Sequence, residues 1–185
     1  MCHLLLIIIR LISNKITSRY FRFHGLKTQV LLLPNGLVGN IFTTSLVHND
    51  QGVLNLSGMG MKLLRLLRNH RLPDGHYPAL FVDGIFTPHP CIVPRYLNPD
   101  ARQERVNSRT ASLRMHIEHL LGCHRKQFRF FRSLYRLKLL PRGEFCVKFI
   151  DMSYFVLNCY TCFNNSRSLP FDLPALTIEE YLPLN

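Results

Sequence analysis

No Asp or Glu occurs before Asp50, and the 11 acids of the chain face 23 Lys and Arg. The formal net charge of +12 points to a polyanionic partner. A generally basic, solvated surface is the alternative, and the clustering of the charge favours nucleic acid. Disulfide-framework spacing is also missing: the cysteines stand at 2, 91, 123, 146, 159 and 162. A reducing compartment is expected. A long apolar run near the N-terminus is absent as well. Arg10 interrupts the run from Leu4 to Ile9, and a membrane span needs about 20 residues. No basic residue precedes that run and no small-residue cleavage site follows it. Neither a signal peptide nor a membrane partner is expected. The run reads as a buried strand or as the artefact of a truncated start. There is no internal repeat, no phosphate-binding glycine loop and no nucleophile elbow. Cys159–x–x–Cys162 lacks a partner pair at zinc spacing, and His116–x–x–His119 lacks a third ligand. Core and surface roles are expected for most of these residues.

A chain of 185 residues, 47% hydrophobic, is long and apolar enough for a one-domain core. Gln29–Leu33 and Leu37–Thr43 flank Pro34–Asn35–Gly36, which predicts a hairpin. Both arms are nearly all apolar, so a sheet covered on both faces is expected. Leu56, Met59, Leu63, Leu66 and Leu67 predict one helix over 54–67, weakened by Gly58 and Gly60. A strand is expected at 77–83, then a Pro-rich loop. A helix over 100–122 opens at Pro99–Asp100, with Asp100 as N-cap. A basic segment covers 124–142, a long apolar helix 145–163, and Thr177–Glu180 forms a short capped turn. This order gives an α/β layered domain.

Asp50, Asp83 and Glu118 are the candidate metal ligands. Asp83 ends an apolar strand, and Glu118 sits mid-helix. A strand-end carboxylate facing one on a helix can hold a divalent cation, and such a cation activates water for phosphodiester cleavage. Each acid has a plainer reading. Asp50 suits a turn or a helix cap, Asp83 suits a turn before Gly84, and Glu118 can pair with Arg114. Arg114, Glu118 and Arg125, at offsets of four and seven, share one helical face. Leu113, Ile117 and Leu120 share a core-facing side. Carboxylate and cations projecting together suit phosphoryl chemistry. Further on, Arg125, Arg129, Arg132 and Arg136 recur at offsets of four, three and four. As a helix they form one cationic face, anchored by Phe128, Phe131 and Tyr135. Such a face tracks phosphates with little sequence preference. A solvated face, or one for a protein's acidic patch, is the alternative.

Ser108–Arg109, Arg114–x–x–x–Glu118, Gly122 and Arg125–x–x–Phe128 resemble the last-acid helix of DDE transposases. The closer resemblance is to the PIF/Harbinger branch and its domesticated Harbinger-transposase-derived nucleases. His24–Gly–Leu–Lys27–Thr–Gln29, Pro34–Asn–Gly36, His48–Asn–Asp50, Phe81–Val–Asp83–Gly and Leu157–Asn–Cys–Tyr–Thr–Cys162 resemble further family segments in the same order. The resemblance implies an RNase H-like fold and cleavage of DNA with Mg²⁺ or Mn²⁺. It makes Asp83 and Glu118 the second and third triad acids and Asp50 an additional acid near the metals. It also implies a separate Myb-like DNA-binding partner, and the nucleus, with the cytoplasm as the alternative.

The first triad Asp, expected upstream of His24, has no counterpart. Residues 1–19 are read as a divergent segment, 20–163 as the nuclease-like domain and 164–185 as a Pro-containing tail. The first catalytic strand is expected to be missing or replaced. Its loss would expose a sheet edge that residues 3–12 could fill without an acid. Weak metal binding and little or no cleavage are expected. The alternative function is a non-catalytic relic that serves as a DNA- or protein-interaction module.

Overall fold

β-branched and apolar residues form β1 (Ile7–Ser13), β2 (Leu26–Leu32), β3 (Val38–Ser45), β4 (Leu80–Val82) and β5 (Ile92–Pro94). The helices are α1 (Asp50–Ser57), α2 (Met59–Leu67), α3 (Ala101–Gln127), α4 (Gly143–Asn164) and α5 (Ile178–Tyr181). This is a computed structural model, and it describes residues 7–13, 26–45, 47–72, 75, 77–84, 86–129, 143–164 and 176–182. The chain divides into two compact units, Met1–Leu33 with Gly39–Ala111, and Pro34–Val38 with Ser112–Asn185.

In the first unit the strands form one mixed sheet in the order β3-β2-β1-β4-β5. The predicted hairpin is present, and the Asn35 side chain accepts the Leu37 N–H across its turn at 3.2 Å. β1 pairs antiparallel with β2, from Ile8 opposite Leu32 to Ser13 opposite Lys27. It pairs parallel with β4, which in turn is parallel to β5. The sheet is therefore not left open beside the hairpin. β1, from within residues 1–19, fills that place. β3 corrects a second expectation: most of it is half-exposed, so this arm is not covered on both faces.

Alternation along β2 decides what packs above it. Lys27, Gln29 and Leu31 share one side. Leu31 joins a buried cluster with Leu54, Met59, Leu63, Leu80, Val82 and Phe86. Gln29, 1% exposed, donates to Ser57 Oγ at 3.1 Å, and Ser57 Oγ donates to the Leu54 carbonyl at 2.8 Å. These bonds stand where the helix expected over 54–67 breaks. Gly58 takes φ 61°, a left-handed conformation that a side chain disfavours, and its N–H closes α1 on the Asn55 carbonyl. The result is two helices instead of one, with α1 beginning at Asp50.

α3 opens as expected. Asp100 Oδ1 accepts the N–H groups of Arg102 and Gln103, and Gln103 Oε1 accepts the Asp100 N–H. The helix then runs on to Gln127, past its expected end. Asn107 holds both backbone groups of Tyr96, so the segment after β5 lies against α3. In the second unit, buried Asn158 of α4 does the same for Val38. Its Oδ1 accepts the Val38 N–H at 2.8 Å, and Nδ2 donates to the Val38 carbonyl at 2.9 Å and to the Tyr181 hydroxyl. Thr177 and Glu180 complete the expected capping box.

One histidine departs from the expected surface role. His124 is 8% exposed and stacks on Tyr154 at 4.2 Å. Ser153 Oγ donates to the Ile150 carbonyl, so at 2.7 Å it accepts the proton of His124 Nε2. Burial, aided by the nearby Arg125 charge, lowers the imidazole pKa from 6.5 to about 4. The folded state thus prefers the neutral ring, and the unfolded chain binds more protons between those values. Stability is expected to fall by on the order of 3 kcal/mol from this residue as pH drops from 6.5 through 4. Urea unfolding of wild type and His124→Phe across that range checks it. The difference between the two should shrink toward low pH, and a constant difference contradicts the assignment.

Candidate functional site

Asp83 lies just past β4. The Gly84 N–H donates to its Oδ1 at 3.0 Å, and the Phe86 N–H donates to its carbonyl at 3.2 Å. It is a turn residue, and its carboxylate remains exposed. A side chain at Gly84 would place Cβ 2.8 Å from Leu97 Cδ2 and 3.0 Å from the Arg95 carbonyl. The Arg95 N–H donates to the Val82 carbonyl at 3.1 Å, which lays this segment against the strand end. A short strand and one obligatory small residue therefore fix where Asp83 stands.

Asp50 is held differently. The N-cap of α1 is Asn49, whose side chain accepts the Gly52 N–H at 2.7 Å. Asp50 is the next residue, where the amide ends of the helix favour negative charge. Lys27 reaches its Oδ1 at 2.6 Å and donates to the His48 carbonyl at 3.0 Å. The Lys27 side chain is 9% exposed and that of Asp50 34%. An ammonium buried that far requires a compensating charge, and Asp50 supplies it. Sequence reading singled out Asp50 and passed over Lys27. The available signal was a lysine two residues before Gln29, on the same side of a strand that is otherwise uncharged.

Glu118 belongs to the second unit, whereas Asp50 and Asp83 belong to the first. It is exposed on α3, and Ile117 and Leu120 are buried as their spacing predicts. The unbroken helix keeps Arg114, Glu118 and Arg125 on one face. Arg114 is half-buried, and Arg125 and Arg129 are exposed. Phe128 packs its ring on His124 at 5.0 Å, an anchor of the expected kind. Phe131, Arg132, Tyr135 and Arg136 lie outside the described residues. Further cations appear that sequence reading did not single out. Arg102, Arg105 and Arg109 are all exposed on α3 at offsets of three and four, so they share a face.

Among the described residues, no group of three or more His, Cys, Asp or Glu is arranged to hold a metal ion. The donor set also lacks an acid on the strand beside Asp83. β1 runs parallel to β4 with Ile7 opposite Leu80 and Ile8 opposite Phe81. Continued by two residues, that register would set Arg10 level with Asp83. No carboxylate occurs anywhere in β1.

The fold is mixed α/β, and its candidate acids are those of a metal-dependent nuclease. The family described as DDE superfamily endonuclease matches residues 12–158, most of the chain. The chain belongs to that family, whose members are endonucleases that generally use divalent metals and act on DNA. No curated protein and no solved structure matches it.

Lys27 and Asp50 give an ordered prediction. Asp50→Asn leaves the more deeply buried charge unpaired and is expected to cost about 3 kcal/mol. Lys27→Met leaves a carboxylate that water still reaches and is expected to cost about 1–2 kcal/mol. Chemical denaturation of both variants checks the order, and equal or reversed costs would refute the burial argument.

Proposed function

We propose that this chain is a Harbinger-type DDE nuclease domain that binds DNA and, weakly, a divalent cation, with cleavage impaired. The observation that carries this reading is β1: the strand beside β4, which leads into Asp83, contains no acid. The strand order β3-β2-β1-β4-β5, antiparallel on one side of β1 and parallel on the other, supports an RNase H-like arrangement. In this class divalent cations supply the charge that activates water and offsets charge on phosphate oxygens. Asp83 and Glu118 are the residues that would hold such a cation, with Asp50 the accessory acid. Mg²⁺ and Mn²⁺ are the candidates. A hard cation takes oxygen ligands, often from only one or two carboxylates and the substrate's phosphates. Two carboxylates therefore support weak binding but not the paired sites that in-line displacement uses.

Arg114, Arg125, Arg129, Arg132 and Arg136 are the proposed phosphate contacts, joined by Arg102, Arg105 and Arg109. Their affinity is expected to fall steeply with salt. A nuclear location and a Myb-like DNA-binding partner belong to the same reading. No helix among the described residues is long and apolar enough to cross a membrane.

The Lys27–Asp50 pair favours a second reading, a non-catalytic module for DNA or protein, because it commits one of the candidate acids to holding the fold together. Nicking of supercoiled plasmid with Mn²⁺ or Mg²⁺ separates the readings. The wild type is expected to stay at background. Arg10→Asp is expected to tighten Mn²⁺ binding at least tenfold by calorimetry, and Asp83→Asn to abolish that gain. Wild-type nicking lost in both Asp83→Asn and Glu118→Gln would show that cleavage survives without the upstream acid. Salt-sensitive DNA binding lost in Arg125→Ala, Arg129→Ala would support DNA over a protein partner.

A further inference from the structure

α4 is apolar on two faces, and among the described residues one of them is buried while the other is largely exposed. Ile150, Tyr154, Leu157 and Thr161 are buried in the second unit. On the other face Phe145, Phe149, Met152, Val156, Cys159 and Phe163 follow one another at offsets of four, three, four, three and four. This is the 3.5-residue repeat of a helix–helix seam. Phe145 is 56% exposed, Met152 57%, Val156 45% and Phe163 71%, while Phe149 and Cys159 are half-buried. The rings of Phe145 and Phe149 stack on each other along this row at 6.2 Å.

We propose that this row is a self-association surface, on which α4 of a second copy of the chain packs about a two-fold axis. Three features favour that occupant. The repeat fits a partner helix with the same period, as an identical helix has. The area is of the right order. With about 150–250 Å² for a whole aromatic side chain, the row and neighbouring Tyr160 leave about 550 Å² of apolar surface open. That is at the upper end for a monomer and about two-thirds of what one partner gives a standard interface. Charge is the third. Two chains of net charge +12 repel, yet α4 carries only Glu144, Lys148 and Asp151. This helix, with an excess of acid, is a place where two basic chains can approach. The same balance disfavours nucleic acid and an anionic lipid surface, both of which select cationic faces.

Sedimentation equilibrium and light scattering on the full chain test the proposal. A dimer is expected at micromolar concentration. Met152→Glu with Val156→Glu is expected to yield a monomer with unchanged circular dichroism and thermal transition, because both side chains are exposed. Leu66→Glu, on the exposed face of α2, should leave the dimer intact. If the double glutamate variant fails to fold, Met152→Ala with Phe163→Ala carries the test and should weaken association at least tenfold. A monomeric wild type, or a dimer that survives these changes, overturns the proposal. So does a monomer that binds phosphatidylcholine–phosphatidylserine vesicles and loses that binding in the glutamate variant.

Discussion

A lysine buried near the start of β2 can remain charged only if a carboxylate meets it, and Asp50 meets Lys27 at 2.6 Å. That one requirement fixes the start of α1 over the sheet. Two residues further along the same side of β2, Gln29 bonds Ser57 at the other end of α1. The helix is thus pinned at both ends by polar groups, and Leu31 continues the row into the apolar cluster below α2. The polar residues of β2 give direction, and the apolar one gives most of the favourable burial. The same arrangement has a chemical consequence, because a carboxylate held by an ammonium is a poorer ligand for a second cation.

Asparagine solves a related problem twice. Strand ends leave backbone donors and acceptors that must find partners once buried. A primary amide offers both in a single plane, as a neighbouring strand would. Asn107 treats Tyr96 this way and Asn158 treats Val38. Near Asp83, the Tyr96 clamp and the Arg95–Val82 bond hold the 95–97 segment close enough that position 84 excludes a side chain. The placement of the candidate acid is therefore set by backbone pairing around it.

Elements signalled locally were legible in the sequence. The Pro34–Asn35–Gly36 turn, the Asp100 cap, the Thr177 capping box and the core side of α3 depend on residues within one or two turns. Features set by distant partners were not. The break at Gly58 follows from a left-handed residue beside a Ser57 bonded to β2. The exposure of β3 arises because an apolar run does not say how many faces are covered. Of the candidate site, the residue types and the shared face of Arg114, Glu118 and Arg125 could be read from spacing. The pairing of Asp50 with Lys27 could not, since they stand 23 positions apart along the chain.

The absence of acid from β1 acts on two affinities in opposite directions. A carboxylate beside Asp83 would attract a divalent cation and repel a phosphate. Without one, the charge around Asp83 is less negative. A divalent cation is then held less firmly, while phosphate meets fixed cations with less repulsion. Cleavage needs the metal, whereas binding needs only the charge. On the proposed reading, the same change that impairs the nuclease thus favours retention of DNA. A fixed guanidinium is indifferent to metal supply, so binding by such a surface should depend on ionic strength and not on divalent metal.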